Sequence, residues 1–398
     1  MKDTVVLAFS GGLDTSWCVP WLIHEKGAEV ITVTVDVGGS DGDALAAQSR
    51  RLGAKRHVQV DARRRFYDEV LRFLVMGNVL KGAVYPLCVG AERALQAREV
   101  ARVARSFGVS RVAHGCTAAG NDQVRFEVAL RAAAPGIQVL APVRDVAPTR
   151  DEQLDELRCR GFEMDGRTGS YSVNSGLWGT TIGGRETTDT REPLPEAAWV
   201  RTKGAWESAR EPTVHHLEFE KGEPVGFDGE ATDPVTLIGR IDEAASVHGI
   251  GRGMHQGETI IGIKGRVAFE APAATVLITA HRELEKITLT GSQLRLKEHL
   301  ALEYAGLVHE GFHMDPTCRD LEAFFLSSQR RVTGQVCLRF RTGFCQVEGV
   351  VSPYSLAAAS CSVYGEAGGE WTPEDARGFS RLKGLPLALH ARAGEQEA

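Results

Sequence analysis

Ser10-Gly11-Gly12-Leu13-Asp14-Thr15-Ser16 follows the apolar run Val5-Val6-Leu7-Ala8-Phe9 and leads into a segment that reads as a helix. A buried strand that ends in two glycines and enters a helix through small hydroxyl residues aims several backbone N–H groups, with the positive end of the helix dipole, at one point. That point suits a phosphate. The glycines let the backbone approach an anion closely, Ser10, Thr15 and Ser16 add hydroxyl donors, and Asp14 is placed to bind a cation or orient a polar group. The same residues also fit a plain strand, glycine turn and capped helix, because Gly-Gly pairs commonly mark turns. A Walker-type loop is excluded, since no lysine follows the second glycine.

The 398 residues leave room for two domains, or for one domain with a large extension. A formal charge of −6 argues against coating nucleic acid, which needs a clear Lys/Arg excess, but is compatible with a small anionic ligand in one pocket. The eight cysteines form neither C-x-x-C pairs nor the spacing of a disulfide framework. They read as reduced thiols and point to the cytoplasm. No stretch approaches the roughly 18 apolar residues of a membrane span.

Outward from the loop, residues 17–26 read as an amphipathic helix and 29–37 as a second strand, ending in Asp36-Val37-Gly38-Gly39. This is a βαβ unit, with parallel strands and ligands expected beyond their carboxyl ends. The end of the second strand, near Val35 and Asp36, is then a wall for an adenine, although an acidic surface turn explains Asp36 equally well. Alternation continues with a helix at 44–52, a strand at 56–60, helices at 66–75 and 94–107, a strand that begins at Arg111, and a strand at 138–141. The strand from Arg111 runs into His114-Gly115-Cys116-Thr117, after which Asn121, Asp122 and Arg125 crowd the start of a helix. Asn121 and Arg125 are four apart and share a helical face, offering an amide and a guanidinium to a carboxylate or a urea-like group. A capped helix with a surface Asp–Arg pair is the competing reading.

The alternation stops around 161–166, where a boundary is expected. Beyond it, 170–174 and 177–184 read as two polar turns, 185–210 as an excursion over the surface, and 214–219, 224–227 and 259–263 as strands. Helices are expected at 241–248, 273–284 and 292–304, and a hairpin over 334–341 and 344–351. The tail from Thr372 reads as an arm or a frayed helix, suited to a subunit contact.

His309-Glu310-Gly311-Phe312-His313 matches H-E-x-x-H, the zinc-protease pattern. The pattern needs a regular helix through both histidines, and Gly311 in its middle costs about 1 kcal/mol relative to alanine. No metal site is assigned to it.

Taken together, Ser10 to Ser16, Tyr85-Pro86-Leu87, His114 to Thr117, Gly120-Asn121-Asp122-Gln123-Val124-Arg125-Phe126, Tyr171-Ser172, Leu177-Trp178-Gly179 and Gly262-Ile263-Lys264-Gly265-Arg266 resemble the argininosuccinate synthase family. The first stretch is similar to the SGGxD[ST]S pyrophosphate loop of the wider ATP-pyrophosphatase superfamily. The resemblance implies an α/β fold: a parallel-sheet nucleotide-binding domain of the ATP-pyrophosphatase type (1–165), an α+β synthetase domain (166–371) and a C-terminal arm (372–398). It implies an ATP-dependent ligase that joins citrulline to aspartate, releasing AMP and pyrophosphate through an adenylated ureido intermediate, in arginine biosynthesis. By position, Ala8, Ser10, Gly11, Gly12, Asp14, Thr15, Ser16, Val35 and Gly115 would hold ATP, with Mg²⁺. Thr117, Asn121 and Asp122 would hold aspartate, and Tyr85, Asn121, Arg125, Ser172 and Thr181 citrulline. Ser10, Asp14, Asn121, Asp122 and Arg125 would carry the chemistry. A homotetramer without nucleic-acid or membrane partners is what the resemblance implies.

The departures from the family pattern gather at the amino-acid end of citrulline. Cys88-Val89-Gly90 stands in place of Gly-Thr-Ser, Gly257 in place of a glutamate, and Phe269 in place of a tyrosine. Ala118-Ala119 replaces a Gly-Lys pair, and Gly183 another glutamate. Glu258, one place after Gly257, could restore the missing carboxylate. An N-acylated citrulline or another ureido substrate is the alternative within enzymes, and an ATP sensor without turnover the alternative of another class.

Overall fold

The computed structural model describes residues 3–163, 171–207, 210–360 and 369–394. Ser170, Cys361 and the expected boundary at 165/166 lie outside the described residues. The chain forms two compact units, Met1–Ser352 and Pro353–Ala398.

The first unit begins with a five-stranded parallel sheet: β1 (Thr4–Ala8), β2 (Glu29–Asp36), β3 (Arg56–Asp61), β4 (Arg111–Ala113) and β5 (Gln138–Leu140), in the order β3-β2-β1-β4-β5. Alternation along β1 sends Val5 and Leu7 to one face, with Trp17, Leu22 and Leu157, and Val6 to the other, with Val33, Ala97 and Val112. Both faces are buried, as a parallel sheet requires. The strand order reverses between β1 and β4. In an open parallel sheet that reversal leaves a crevice at the carboxyl ends, where ligands bind.

The remaining strands are antiparallel. β6 (Ser172–Gly176) and β7 (Gly179–Gly183) join β11 (Arg252–Glu258) and β12 (Lys264–Glu270) in the order β11-β12-β7-β6, while β8 (Thr213–Glu220), β9 (Glu223–Phe227), β10 (Glu230–Ala231), β13 (Gly334–Arg341) and β14 (Phe344–Val351) form a second sheet. Leu217, Leu338 and Phe340 of that second sheet, and Leu277 and Leu284 of the Pro272–Thr288 helix, belong to the same buried cluster as Val6 and Val33. The segments on either side of 164–170 therefore share one core.

Several expectations are corrected here. The two polar turns at 170–174 and 177–184 are the paired strands β6 and β7, because their hydroxyl and glycine residues pair across the ladder instead of looping. The strand expected at 259–263 is the turn between β11 and β12: Thr259 N–H donates to Ile263 O at 2.7 Å, and Gly262 sits at φ +84°. Its isoleucines imitate a strand, while the strands themselves carry glycines that hide their period. The excursion at 185–210 is only partly superficial. Trp199 and Thr202 are buried, and the buried Glu270 carboxylate receives the N–H groups of Val200, Arg201 and Thr202. The helix expected at 241–248 starts earlier, as Pro234–Ser246, with the Asp233 carboxylate capping Val235 and Thr236 N–H.

A buried polar network ties four helices of this core together. Glu285, which is fully buried, accepts from Asn78, Lys297 and Gln329 at 2.6–2.7 Å, and His281 bridges Asn78 and Gln329. In the second unit, the Pro373–Gly394 helix exposes Phe379, Leu382, Leu387 and Leu389.

Candidate active site

The first loop is shaped by backbone geometry. Gly11 takes φ +76°, a conformation that costs any other residue about 1–2 kcal/mol. Gly12 is extended and is the cap of the Leu13–Glu25 helix, so Asp14, Thr15 and Ser16 lie in its first turn, four residues earlier than the expected helix start. The hydroxyls tie the loop together: Ser10 Oγ and Thr15 Oγ1 lie 3.1 Å apart, and Ser16 Oγ donates to Gly11 O at 3.3 Å. Gln48 Nε2 donates to Gly11 O at 2.9 Å and to Ser16 Oγ at 3.0 Å, fixing the loop from the neighbouring helix. Asp14 Oδ1 accepts from Gln153 Nε2 at 3.0 Å. Val35 and Asp36 end β2 beside this loop, and Asp36 Oδ1 accepts from Gly38 N–H at 2.9 Å, so Asp36 closes its own turn.

The second loop comes from β4 and meets the first. A Cβ on Gly115 would lie 3.0 Å from Thr15 Cγ2 and 3.1 Å from Thr15 N, so the two loops touch at a glycine. Behind it, the Asp122–Ala133 helix presents a charged cluster. Asp122 Oδ1 accepts from Arg125 Nη1 at 2.7 Å, and Oδ2 from Arg93 Nε at 2.9 Å. Burial raises the Asp122 pKa, but the two guanidinium groups outweigh it and hold the carboxyl at about 2. Arg125 is buried, with Nε donating to His309 O at 2.6 Å and Nη2 lying 3.2 Å from His309 Nδ1. It thus caps the carboxyl end of the Gly291–Glu310 helix, whose last carbonyls lack intrahelical partners. That helix stops at Gly311, φ +89°, so His309 and His313 do not share a regular helix and the H-E-x-x-H match has no zinc geometry. Asn121 Oδ1 accepts from Ile260 N–H at 2.8 Å, which docks the β11–β12 turn onto the site, while Thr117 is exposed at its rim.

Comparison with known proteins decides the family. The profile described as the arginosuccinate synthase N-terminal HUP domain matches residues 4–163, and that of the arginosuccinate synthase C-terminal domain matches 171–390. The chain belongs to the argininosuccinate synthase family. Argininosuccinate synthase of Dehalococcoides mccartyi is 38% identical over 396 residues (98% of this chain, 97% of that one), and that of Methanocaldococcus jannaschii 36% over 392 residues (98% of each). The enzyme of Xanthomonas campestris pv. campestris is 38% identical over 401 residues, again 98% of each chain.

At the positions that depart from the argininosuccinate synthase pattern, the surroundings of Tyr85 are aromatic. Tyr85 is buried and donates its hydroxyl to Cys88 O, and its ring stacks on His255 (centroids 5.4 Å apart, planes at 16°) and packs against Phe269 at 5.2 Å. Register places Phe269 opposite Thr181, and Thr181 opposite Asn174, so Thr181, Asn174 and Ser172 share the sheet face that carries Phe269. Ser172 is exposed at the edge of that face. Gly90 lies against the Arg125 guanidinium, where a Cβ would be 3.3 Å from Cζ. Glu258 is not brought to Tyr85. Being one residue beyond Gly257, it falls on the opposite face of β11 from His255, is exposed, and pairs with Lys264 at 2.8 Å. The space beside Gly257 is taken by His255, whose Nε2 would lie 3.0 Å from a Cβ there.

Residues missed in the sequence are Arg93, Glu92, Gln48, Gln153 and His309. Arg93, Gln48, Gln153 and His309 lie 29 to 184 residues from the partners that give them a role, and Glu92 beside Arg93 has no motif of its own; for Arg93, a basic residue directly after the Tyr85 loop was the one local signal.

Two buried histidines give a pH prediction. Burial holds His114 at about 4, and burial with Arg125 holds His309 at about 3. Both pKa values are depressed from an unfolded value near 6.5, so the folded state excludes a proton that the unfolded chain binds. Their stability is complete above about pH 6.5 and is lost as pH falls toward 4 and 3. The urea midpoint is expected to decline over that window. His114→Asn, which can still accept the Cys116 N–H that His114 Nδ1 receives at 3.2 Å, should make the decline shallower; an unchanged slope would count against this origin.

Proposed function

We propose that the chain joins citrulline to aspartate at this site, forming argininosuccinate, AMP and pyrophosphate in arginine biosynthesis. The observation that carries the reading is the meeting of the β1 and β4 loops at Gly115, at the reversal of strand order, with the Asn121–Asp122–Arg125 cluster directly behind. A phosphate chain at the start of the Leu13–Glu25 helix meets Ser10, Gly11, Gly12, Thr15 and Ser16, with the adenine toward Val35 and Ala8 and the ribose toward Gly115.

The chemistry follows from these groups. A ureido oxygen is a poor leaving group until adenylated, so the protein's task is to align it with the α-phosphate and to stabilise the departing pyrophosphate. Loop N–H groups and hydroxyls serve the second need. Asn121, Arg125, Tyr85, Ser172 and Thr181 orient the urea substrate, and Thr117, Asn121 and Asp122 hold aspartate. Mg²⁺ is taken up with ATP: Asp14 is the carboxylate at the loop, and one carboxylate together with substrate phosphates fits the way this ion is usually bound. It would supply charge neutralisation at the phosphates.

Free thiols at seven cysteines among the described residues support a reducing compartment, the cytoplasm. Exposed Phe379, Leu382 and Leu389 on the Pro373–Gly394 helix support a subunit contact in a homotetramer.

The test is product analysis with ATP, citrulline and aspartate. AMP and pyrophosphate should appear in equal amounts and only when both amino acids are present. ATP binding without turnover would replace the ligase reading with that of a sensor, and turnover confined to N-acetylcitrulline would move it to a modified substrate.

A further inference from the structure

We propose that Gln153 is a positioning residue for the nucleotide site, holding the Asp14 carboxylate so that its second oxygen serves the Mg²⁺ that arrives with ATP; the assignment rests on the nucleotide-binding part of the reading above. Gln153 lies in the Arg150–Cys159 helix, which a Thr149–Glu152 capping box starts and whose Leu157 shares a buried cluster with Leu13 and Trp17 of the Leu13–Glu25 helix. Two side-chain bridges tie these helices together: Gln153 Nε2 donates to Asp14 Oδ1 at 3.0 Å, and Trp17 Nε1 to Glu156 Oε2 at 2.6 Å. The partners are three residues apart on both helices, so the bridges lie about one turn from each other. Only the Gln153 bridge reaches the loop.

What Gln153 does for Asp14 follows from its burial. It is 1% exposed, and Asp14 is the one partner of its side chain among the described residues. Its Oε1 is buried without a donor. A flipped amide would set that oxygen against a carboxylate oxygen and bury the NH₂ group unmet, so the amide has one workable orientation. An apolar side chain of similar length would fill the same space without burying an unmet acceptor. In packing terms glutamine is the poorer choice; what it adds is a fixed carboxylate.

Asp14 is half-buried where the β1 and β4 loops meet, and a Cβ on Gly115 would lie 3.2 Å from its carbonyl carbon. With Oδ1 committed to Gln153, Oδ2 has no hydrogen-bond partner among the described residues and, unlike the Gln153 oxygen, stays accessible. A neutral amide suits this task. It orients the carboxylate without cancelling its charge, whereas a lysine or arginine there would pair with Asp14 and compete with the metal ion. Mg²⁺ demands a near-ideal octahedral geometry and is held by one or two carboxylates with substrate phosphates, so the direction of a single oxygen matters.

The test separates positioning from packing. ATP binding is measured calorimetrically on full chains, with Mg²⁺ and with EDTA, without citrulline or aspartate, and urea midpoints are taken alongside. Gln153→Met and Gln153→Leu should keep a midpoint at or above that of wild type, weaken binding of ATP with Mg²⁺ by about 10-fold or more, and leave binding in EDTA within about twofold. Glu156→Ala, which removes the neighbouring bridge, should do the reverse, lowering the midpoint and leaving the affinity with Mg²⁺ within about twofold of wild type. An affinity with Mg²⁺ close to that of wild type in both Gln153 variants, an equal loss with and without Mg²⁺, or midpoints lowered as far as in Glu156→Ala would overturn the assignment. Wild type that binds ATP no more tightly with Mg²⁺ than in EDTA would overturn it together with the metal role of Asp14. None of these readouts depends on turnover, so failure of the ligase reading is decided separately, by the AMP and pyrophosphate assay.

Discussion

Asp122→Ala is expected to lower the stability of the fold by about 3–5 kcal/mol and to abolish AMP formation. Asp122 is the one carboxylate among the described residues that both Arg93 and Arg125 engage, at 2.9 and 2.7 Å. Removing it leaves two largely buried guanidinium groups facing each other. Arg93 would keep Glu92 as its one carboxylate among the described residues, with the amide oxygens of Gln96 and Asn174, and Arg125 would keep the backbone and ring of His309. Breaking a buried pair costs more than the pair contributes, because the uncompensated charge stays behind. Asp122→Asn should retain part of the stability through its amide oxygen, and still lose most of its affinity for aspartate. Urea denaturation and the KM for aspartate measure the two effects. A loss under about 1 kcal/mol for the alanine variant would mean that solvent already screens the cluster.

Gly11→Ala should lower AMP formation by about 100-fold, the scale expected when a reacting group is displaced by about 1 Å. Alanine pays the positive-φ strain, and its Cβ overlaps Leu45 Cδ2 and lies 2.9 Å from Gln48 Oε1. Relief requires Gln48 to move, and Gln48 holds both Gly11 O and Ser16 Oγ. The loop would then shift where the phosphates are proposed to bind. Gly12→Ala is the control for folding: at φ −69° its Cβ would meet only Ser10 Oγ, at 3.5 Å, so its urea midpoint should stay close to wild type. Equal ATP turnover in wild type and Gly11→Ala would show that the loop tolerates the displacement.

The nucleotide-binding half was legible because its signals are local. Each βαβ unit carries its own periodicity and its own terminal glycines, and helix and strand boundaries at 29–36, 56–61 and 93–106 fell within one to two residues of expectation. The other half was less so. β11 and β12 carry three glycines between them, and the turn that joins them is richer in isoleucine than either strand. Glu258 shows the limit most sharply. A one-residue displacement looks small along the chain, yet in a strand it reverses the face, and Glu258 ends beside Lys264 instead of Tyr85.

By itself the sequence determined that Ser10 to Ser16 is a glycine turn leading from a strand into a helix start, that a second loop at Gly115 to Arg125 shares its end of a parallel sheet, and which family the motifs resemble. Those conclusions rest on contacts within a few residues. Tertiary structure alone decided that Arg93 and Arg125 share Asp122, that Arg125 caps the helix ending at Glu310, that His255 and Phe269 enclose Tyr85, and that Glu92 keeps one oxygen free. The reason is physical: charge neutralisation and ring packing depend on distance in space, and strand register and helix ends set those distances between residues far apart in the chain.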